Sequence, residues 1–315
     1  MPHNTTYVST QSGIALIMVL LVVALATIIT VGMVSRQYVD IRRTTNMIDH
    51  EQAYMYLLGA EDWAKLILKE DLDDNDTDDL EDAWAKSLPP IPVEGGNISG
   101  TLSDLHARFN INSILVGDKV NNDSYFIFKR ILRQKIEDYN EDTAAAVVDW
   151  IDSNQNAFGD SGAEDTFYLN KKVPYRTANQ LITSASELAL INGFDYNKYE
   201  SVKDYLFALP VETKININTA SPEVLISLAD NLSEEDGKKI VAERGKEGFK
   251  KIEDMLKLEQ FKGKKVNTDL LTVSSEYFLL TAKANIGVAS ATLYSIIHRS
   301  SEGKFKVILR TTRDL

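Results

Sequence analysis

This sequence of 315 residues predicts an α+β protein. A long N-terminal membrane helix packs on a small antiparallel sheet, and a large duplicated helical insertion separates the strands. Three observations predict it. Residues 14–34 form an uncharged apolar run close to the N-terminus. The stretch 277–310 holds three β-rich runs parted by turn residues. Between these two regions, the tetrapeptide Asn110-Ile111-Asn112-Ser113 recurs almost unchanged as Asn216-Ile217-Asn218-Thr219.

The apolar run comes first. As a helix rising about 1.5 Å per residue it would reach roughly 32 Å, close to the ~30 Å hydrocarbon core of a bilayer. The remainder is polar and acidic, with a formal net charge of −12. That balance argues against a surface that neutralises phosphates. Cysteine is absent, which excludes disulfides, thiolate chemistry and cysteine-type zinc sites. The four histidines, His3, His50, His106 and His298, are scattered and form no metal-ligand spacing.

Three readings of the N-terminus compete. A cleaved secretory signal needs a basic leader, a shorter apolar core and a small-residue cut site after it. The leader 1–13 has no Lys or Arg, and its apolar run is too long. A plain signal anchor fits the length. In the third reading the cut precedes the run: Gln11-Ser12-Gly13, followed by Ile14-Ala15-Leu16-Ile17-Met18, resembles the type IV prepilin leader. A membrane peptidase of that family cuts after the Gly, and the new N-terminus is usually methylated. Gly13 and Ile14 are therefore the expected processing pair. Arg36, Arg42 and Arg43 follow the run, and by charge alone they would place the C-terminal side in the cytoplasm. The leader resemblance, supported by the sequence downstream, outweighs them.

Helical character continues past the membrane, because Ala53, Leu57, Ala60, Ala64, Ile67 and Leu68 share one face. The chain leaves this helix through the acidic stretch 71–82, and Pro89, Pro90 and Pro92 end any helix. Most pilin-like subunits carry Glu at the fifth place after the cut, where this chain has Met18. A carboxylate in a membrane helix is costly without a partner. In a filament it pairs with the N-terminal amine of the neighbour nearer the tip, a partner that a tip subunit lacks. Met18 suits a tip subunit, and it equally suits an ordinary apolar membrane position.

In the soluble part, 97–102 reads as strand and turn, and 277–284, 289–298 and 305–310 suit an antiparallel meander. Everything from about 120 to 270 reads as helical. After each copy of the repeated tetrapeptide, an acidic cap leads into a short apolar helix, at 140–142 before 144–150 and at 233–236 before 239–241. The stretch 187–206 also echoes 254–271, so two small modules related by duplication are expected. The first carries an insert with Asp149, Asp152, Asn154, Asn156, Asp160, Glu164 and Asp165. Oxygen ligands at alternating positions, then Gly, then a late carboxylate follow the logic of a calcium loop. It is not an EF-hand, since its Glu falls one place late and the central Gly is missing. A solvated acidic loop is the alternative.

The run Asp149-Trp150-Ile151-Asp152, then Gly162-Ala163-Glu164-Asp165, Pro174-Tyr175, Asn179, Ser186-Glu187-Leu188 and Asn216-Ile217-Asn218-Thr219-Ala220 resembles general secretion pathway protein K. These are the large minor pseudopilins of type II secretion systems. The match runs in order over essentially the whole chain. The resemblance implies calcium in the 149–165 loop, with Asn154 replacing a customary Asp and weakening affinity. It implies a subunit in the inner membrane by a single pass, its bulk in the periplasm. There it would cap the pseudopilus tip with the I and J minor pseudopilins, start filament assembly and support export of folded proteins. Prepilin peptidase, the inner-membrane assembly platform and secreted substrates are the other implied partners.

The expected organisation is a leader at 1–13, a filament-core helix at 14–35, and a pilin-like helix with first strands at 36–115. Helical domains follow at 116–212 and 213–273, then closing strands at 274–315. No nucleophile–base pair, P-loop or dinucleotide fingerprint is present, so no enzyme activity is expected. One alternative belongs to another class. The segment 218–225, with 240–244 and Gly248-Phe249, also looks like the helix-hairpin-helix of membrane-anchored, competence-type DNA-binding proteins. Its hairpin, Leu228-Ala229-Asp230-Asn231-Leu232, lacks the Gly such units use to approach phosphate, and its Asp would repel one. Nucleic acid is not an expected partner.

Overall fold

The computed structural model describes residues 12–87 and 89–313. Ser12–Asp74 is one unbroken helix of 63 residues, α1. Its first half is exposed along the whole apolar run. Farther along, Ala53, Leu57, Ala64 and Leu68 are buried, the stripe expected from their spacing. The helix stops at Asp74, within the acidic stretch 71–82 through which the chain was expected to leave it. Arg299 donates to the Leu68 carbonyl near the end of the helix, and the Asn75 side chain accepts from the Thr77 N–H just beyond it. The Asn75 N–H serves the first of the terminal carbonyls, that of Asp71, at 3.1 Å.

Two strands follow, β1 (Ile91–Val93) and β2 (Gly96–Asp104). The chain then leaves the sheet. Short pieces follow: β3 (Phe109–Asn110), β4 (Leu115–Val116), β5 (Lys119–Val120), α2 (Asn122–Lys135), α3 (Glu141–Ile151), α4 (Asp165–Leu169), α5 (Tyr196–Val202) and β6 (Leu206–Phe207). A second series comprises β7 (Ile215–Asn216), α6 (Pro222–Ile226), α7 (Glu234–Arg244), α8 (Ile252–Leu256) and β8 (Leu271–Thr272). The chain re-enters the sheet as β9 (Tyr277–Ile286), β10 (Ala289–Arg299) and β11 (Phe305–Thr311). These three are the meander expected from the sequence, each a residue or more longer at one end.

The sheet order is β1-β2-β9-β10-β11, with every pair antiparallel. The entire segment 105–276 is therefore inserted between two neighbouring strands, β2 and β9. The sequence had set these crossings at 115 and 274. Along β9, Phe278, Leu280, Ala282, Ala284 and Ile286 alternate onto the face that meets α1. Ala282 and Ala284 opposite Ala53 and Ala64 keep side-chain volume small where helix and sheet approach. On the other face, Ile296 and Leu279 meet Leu105, Phe207 and Leu209 of the insertion.

The insertion is less helical than expected, with short helices joined by turns and two parallel strand bridges. Those bridges display the internal repeat. In the first module β3 pairs with β6, and in the second β7 pairs with β8, both parallel. Asn110 and Asn216 each accept the N–H two residues on. Asn112 then grips Ile182 through its backbone N–H, at 2.9 Å, and its carbonyl, at 2.8 Å. Asn218 grips Phe249 in the same way, at 2.7 and 3.0 Å. The caps also fit: Asn140 begins α3, and Ser233 with Asp236 makes a capping box on α7. One continuous apolar core runs from Phe109 to Leu271, so the two modules are topological repeats around shared packing.

Candidate functional site

The calcium-type loop leaves the C-terminus of α3. That helix is buried along nearly its whole length, so its last turn carries Asp149 inward, fully buried between Val148 and Trp150. Asp152 caps the end of the helix and is also buried. The loop returns to Glu164 at the start of α4, buried as well. Asp149 Oδ1 accepts from the Phe158 N–H at 2.7 Å, and Asp152 Oδ1 from the Asn154 N–H at 3.1 Å. Asp149 Oδ2 and both oxygens of Glu164 are buried and meet no donor. Orphaned buried carboxylate oxygens are costly, and natural structures keep few of them.

Gly162 shapes the site. A Cβ there would lie 2.0 Å from Asp149 Oδ2 and 2.6 Å from the Phe158 nitrogen, so no other residue fits beside the carboxylate. Electrostatics agree with the geometry. Burial, followed by the charges of Asp149, Asp152 and Asp165, pushes Glu164 up to about 7. Burial chiefly, with the Asp152 charge, pushes Asp149 up to about 6 against the Phe158 and Ala163 N–H groups. Asp152 is raised by burial and by Asp118 nearby. A hard divalent cation with oxygen ligands is the chemistry that such a donor set accepts.

The remaining expected ligands divide. Asn154, Asn156 and Asp160 are exposed on the loop, and Asn154 Oδ1 accepts the Asn156 N–H at 2.7 Å. Asp165 is turned away: its carboxylate holds Arg176 at 3.1 Å and the Thr177 N–H and hydroxyl at 3.0 and 2.8 Å. It closes the far side of the loop onto the segment after α4. Beneath lies an aromatic cluster of Trp150, Tyr168 and Tyr175, with the Lys171 ammonium about 5 Å from the Tyr168 and Tyr175 rings.

At the other end of the chain, Gly13, Ile14 and Met18 lie in the first turns of α1, and Ile14 and Met18 are widely exposed. The residues of the leader before Ser12 lie outside the described ones. Among the described residues one helix, α1 from Gly13 on, is long and apolar enough to cross a membrane, with a mean hydropathy of 3.1 over its most apolar window.

Residues that the sequence reading missed are acidic. The lone carboxylates were expected at the surface or on calcium, yet Glu61, Asp71, Asp78 and Asp104 are buried away from the calcium-type loop. Among the described residues, one trio of acidic side chains, Asp71, Asp78 and Asp82, brings an oxygen of each within 4.8 Å of the others. Arg299 already pairs with two of them, at 3.0 Å to Asp71 and 2.6 Å to Asp78. Glu61 holds Arg310 at 2.8 Å and the Ser295 hydroxyl at 2.7 Å. It sits on the buried stripe of α1 between Leu57 and Ala64, and a charge on an apolar stripe is a legible signal of a buried partner.

The hairpin between α6 and α7 is docked. Asp230 pairs with Arg130 at 2.8 Å, and Lys264 donates to the Asp230 and Asn231 carbonyls at 2.8 and 3.0 Å.

Comparison with known proteins places this arrangement. The family described as "Type II secretion system (T2SS), protein K" matches residues 107–211 with its first-domain model and 215–274 with a second. The type II secretion system protein K of Pseudomonas aeruginosa is 33% identical over 309 residues, covering 95% of this chain and 92% of the relative. That of Aeromonas hydrophila is 31% identical over 322 residues, covering 95% and 96%. Among solved structures, the GspK-GspI-GspJ complex of the enterotoxigenic Escherichia coli type 2 secretion system contains a similar chain. It has a TM-score of 0.75 and 25% identity, with 87% of this chain and all of that one covered.

Proposed function

Because this chain belongs to the type II secretion system protein K family, we propose that it is the minor pseudopilin at the tip of a periplasmic pseudopilus. In this reading it starts filament assembly together with the I and J minor pseudopilins, and it supports export of folded proteins across the outer membrane. The observation that carries the reading is the likeness to the chain solved in the GspK-GspI-GspJ complex, which extends over 87% of this one. The long helix supports it. Its apolar first half is exposed, as a segment that is first a membrane anchor and then filament packing must be. Met18 supports it too, by omitting the carboxylate that would need a neighbour above.

The role is one of assembly, without covalent chemistry on a substrate. The chain is held in the inner membrane by α1 with its bulk in the periplasm, and prepilin peptidase cuts between Gly13 and Ile14. Calcium belongs to the same proposal. Asp149, Asp152 and Glu164 would hold it, with Asn154, Asn156 and Asp160 available at the rim. The supporting observation is the set of buried, donorless oxygens on Asp149 and Glu164.

Co-expression of the full chain with its I and J pseudopilins and prepilin peptidase tests the assembly. Recovery of all three together, with mass spectrometry giving Ile14 as the first residue, is the expected result. A K chain that keeps Met1 and purifies alone would refute it.

A further inference from the structure

The inserted segment joins the sheet body at one buried spot, and α1 ends there too. The last turn of α1 brings Asp71, and the loop after it brings Asp78 and Asp82. Strand β2 ends at Asp104, the insertion reaches in with Asn216 and Thr219, the chain returns through Ser275, and β10 ends at Arg299. Arg299 donates to Asp71, to both oxygens of Asp78, and to the Leu68 and Ser275 carbonyls. Its guanidinium also lies 4.8 Å from the centre of the Phe278 ring. The Ser275 N–H donates to Asp78 at 2.7 Å, and the Asp78 N–H to the Val273 carbonyl at 2.9 Å. Asn216 bridges the Asp78 carbonyl and Asp104. Thr219, Ser275 and the His106 N–H complete the shell of Asp104.

The charges do not balance. An oxygen from each of Asp71, Asp78 and Asp82 lies within 4.8 Å of the others, and one guanidinium faces the group. Asp104 stands behind Asp78, while Asp79 stands behind Asp82 with Arg244 of α7 on its far side. Three carboxylates crowded around one cation, two of them buried, cannot all ionise without large mutual repulsion. Asp82 is the least enclosed, held by the Asp79 N–H at 2.7 Å and the Trp84 indole at 3.2 Å.

We propose that Asp71, Asp78 and Asp82 hold one proton between them around Arg299, and that this shared proton keeps the long helix latched to the inserted modules. When it departs to solvent, the added charge on Asp71 faces Asp78 and Asp82. Arg299 retains Asp78, the better-held partner, and the 75–87 segment carrying Asp82 loosens. Burial first, then Asp82 and Asp78, push Asp71 up to about 7. A carboxyl raised in the folded state gives stability that is complete below its ordinary range and is lost as pH rises toward the folded value. The latch is tightest in acid, loosens as pH climbs toward neutrality and stays slack above it. This proposal is independent of the tip reading.

The test is amide hydrogen exchange across 71–87 and at Ser275, on the full-length chain in detergent micelles with constant excess calcium, from pH 6 to 8.5. With intrinsic rates divided out, protection in the wild type should fall about tenfold from pH 6 and level off just above 7. Asp71→Asn, isosteric and permanently neutral, should keep high protection throughout. Flat wild-type protection, or an Asp71→Asn variant that titrates like the wild type, overturns the proposal. If that variant does not fold, Asp82→Asn serves, since removing one of the three carboxylates must shift the midpoint to lower pH. An unmoved midpoint overturns it as well. Protection at pH 8 that grows with the calcium concentration, in wild type but not in Asp71→Asn, would replace the proton by a cation.

Discussion

In the loop after α3, Asp149 and Glu164 bury oxygens that no donor meets. At the end of α1, Asp71 and Asp78 are as deeply buried, yet one guanidinium, a backbone N–H and the surrounding side chains serve them. Both clusters are acidic and both lie against aromatic side chains. The difference lies in what completes them. The junction brings its one cation from within the chain, because the strand ending at Arg299 and the helix ending at Asp74 are covalently parts of one body. The loop brings backbone N–H groups to one oxygen each of Asp149 and Asp152 but none to Asp149 Oδ2 or Glu164, and the proposed calcium would complete it from outside. Acidic composition says little about a site, whereas a count of donors per buried oxygen separates a metal cradle from a structural ion pair.

The largest expected effect strikes the self-completed cluster. Arg299→Ala strands Asp71 and Asp78 without their cation, and denaturant melts should show a loss of about 3–5 kcal/mol, greater at pH 8 than at pH 5. A loss below about 1 kcal/mol would erase the contrast with the loop. Next comes completion of the loop from outside. With calcium at about a hundred times its dissociation constant, a chelator should remove roughly 2.7 kcal/mol, read as a lower Tm. Gly162→Ala, whose methyl group would strike Asp149 Oδ2, should melt at the same temperature with or without chelator.

A smaller effect sharpens the electrostatics. In chelator, Asp149 at about 6 and Glu164 at about 7 lie above their unfolded values. Stability should therefore decline as pH climbs from about 4.5 to 7, and excess calcium should cancel the part that Asp149 and Glu164 contribute. A decline unaffected by calcium would assign it to the junction alone. Glu61 is the third case and bears the opposite sign. Burial raises its pKa, but Arg310, Ser295 and Lys65 outweigh this and hold it down at about 2. Its contribution is complete above the ordinary carboxylate range and vanishes as pH falls toward 2. Glu61→Gln should cost about 2 kcal/mol at neutral pH and nothing near pH 2.

Local patterns made much of this fold legible. The apolar run, the stripe from Ala53 to Leu68 and the alternation of 277–310 are periodic, and periodicity needs no partner to be seen. The repeated Asn-Ile-Asn was legible because each copy makes the same two backbone contacts, at Ile182 and at Phe249. The length of helix in 120–270 was overestimated, since short apolar stretches there pair as two-residue parallel strands with segments far away in sequence. The loop carboxylates were found by spacing, but spacing did not show that Asp165 turns to Arg176 and Thr177. The junction was invisible: Asp71, Asp104, Asn216, Ser275 and Arg299 meet only after the entire insertion has folded.

Gly13 and Ile14 stand where the N–H groups of α1 have no helical partner, so the peptide bond between them can be drawn into an extended strand at little cost. Severing it would leave a positive amine at the positive end of the helix dipole, inside a bilayer. Met18 supplies no anion one turn away. The cut end would thus be a charge looking for a carboxylate on some other molecule, which in the proposed assembly a subunit below it would supply.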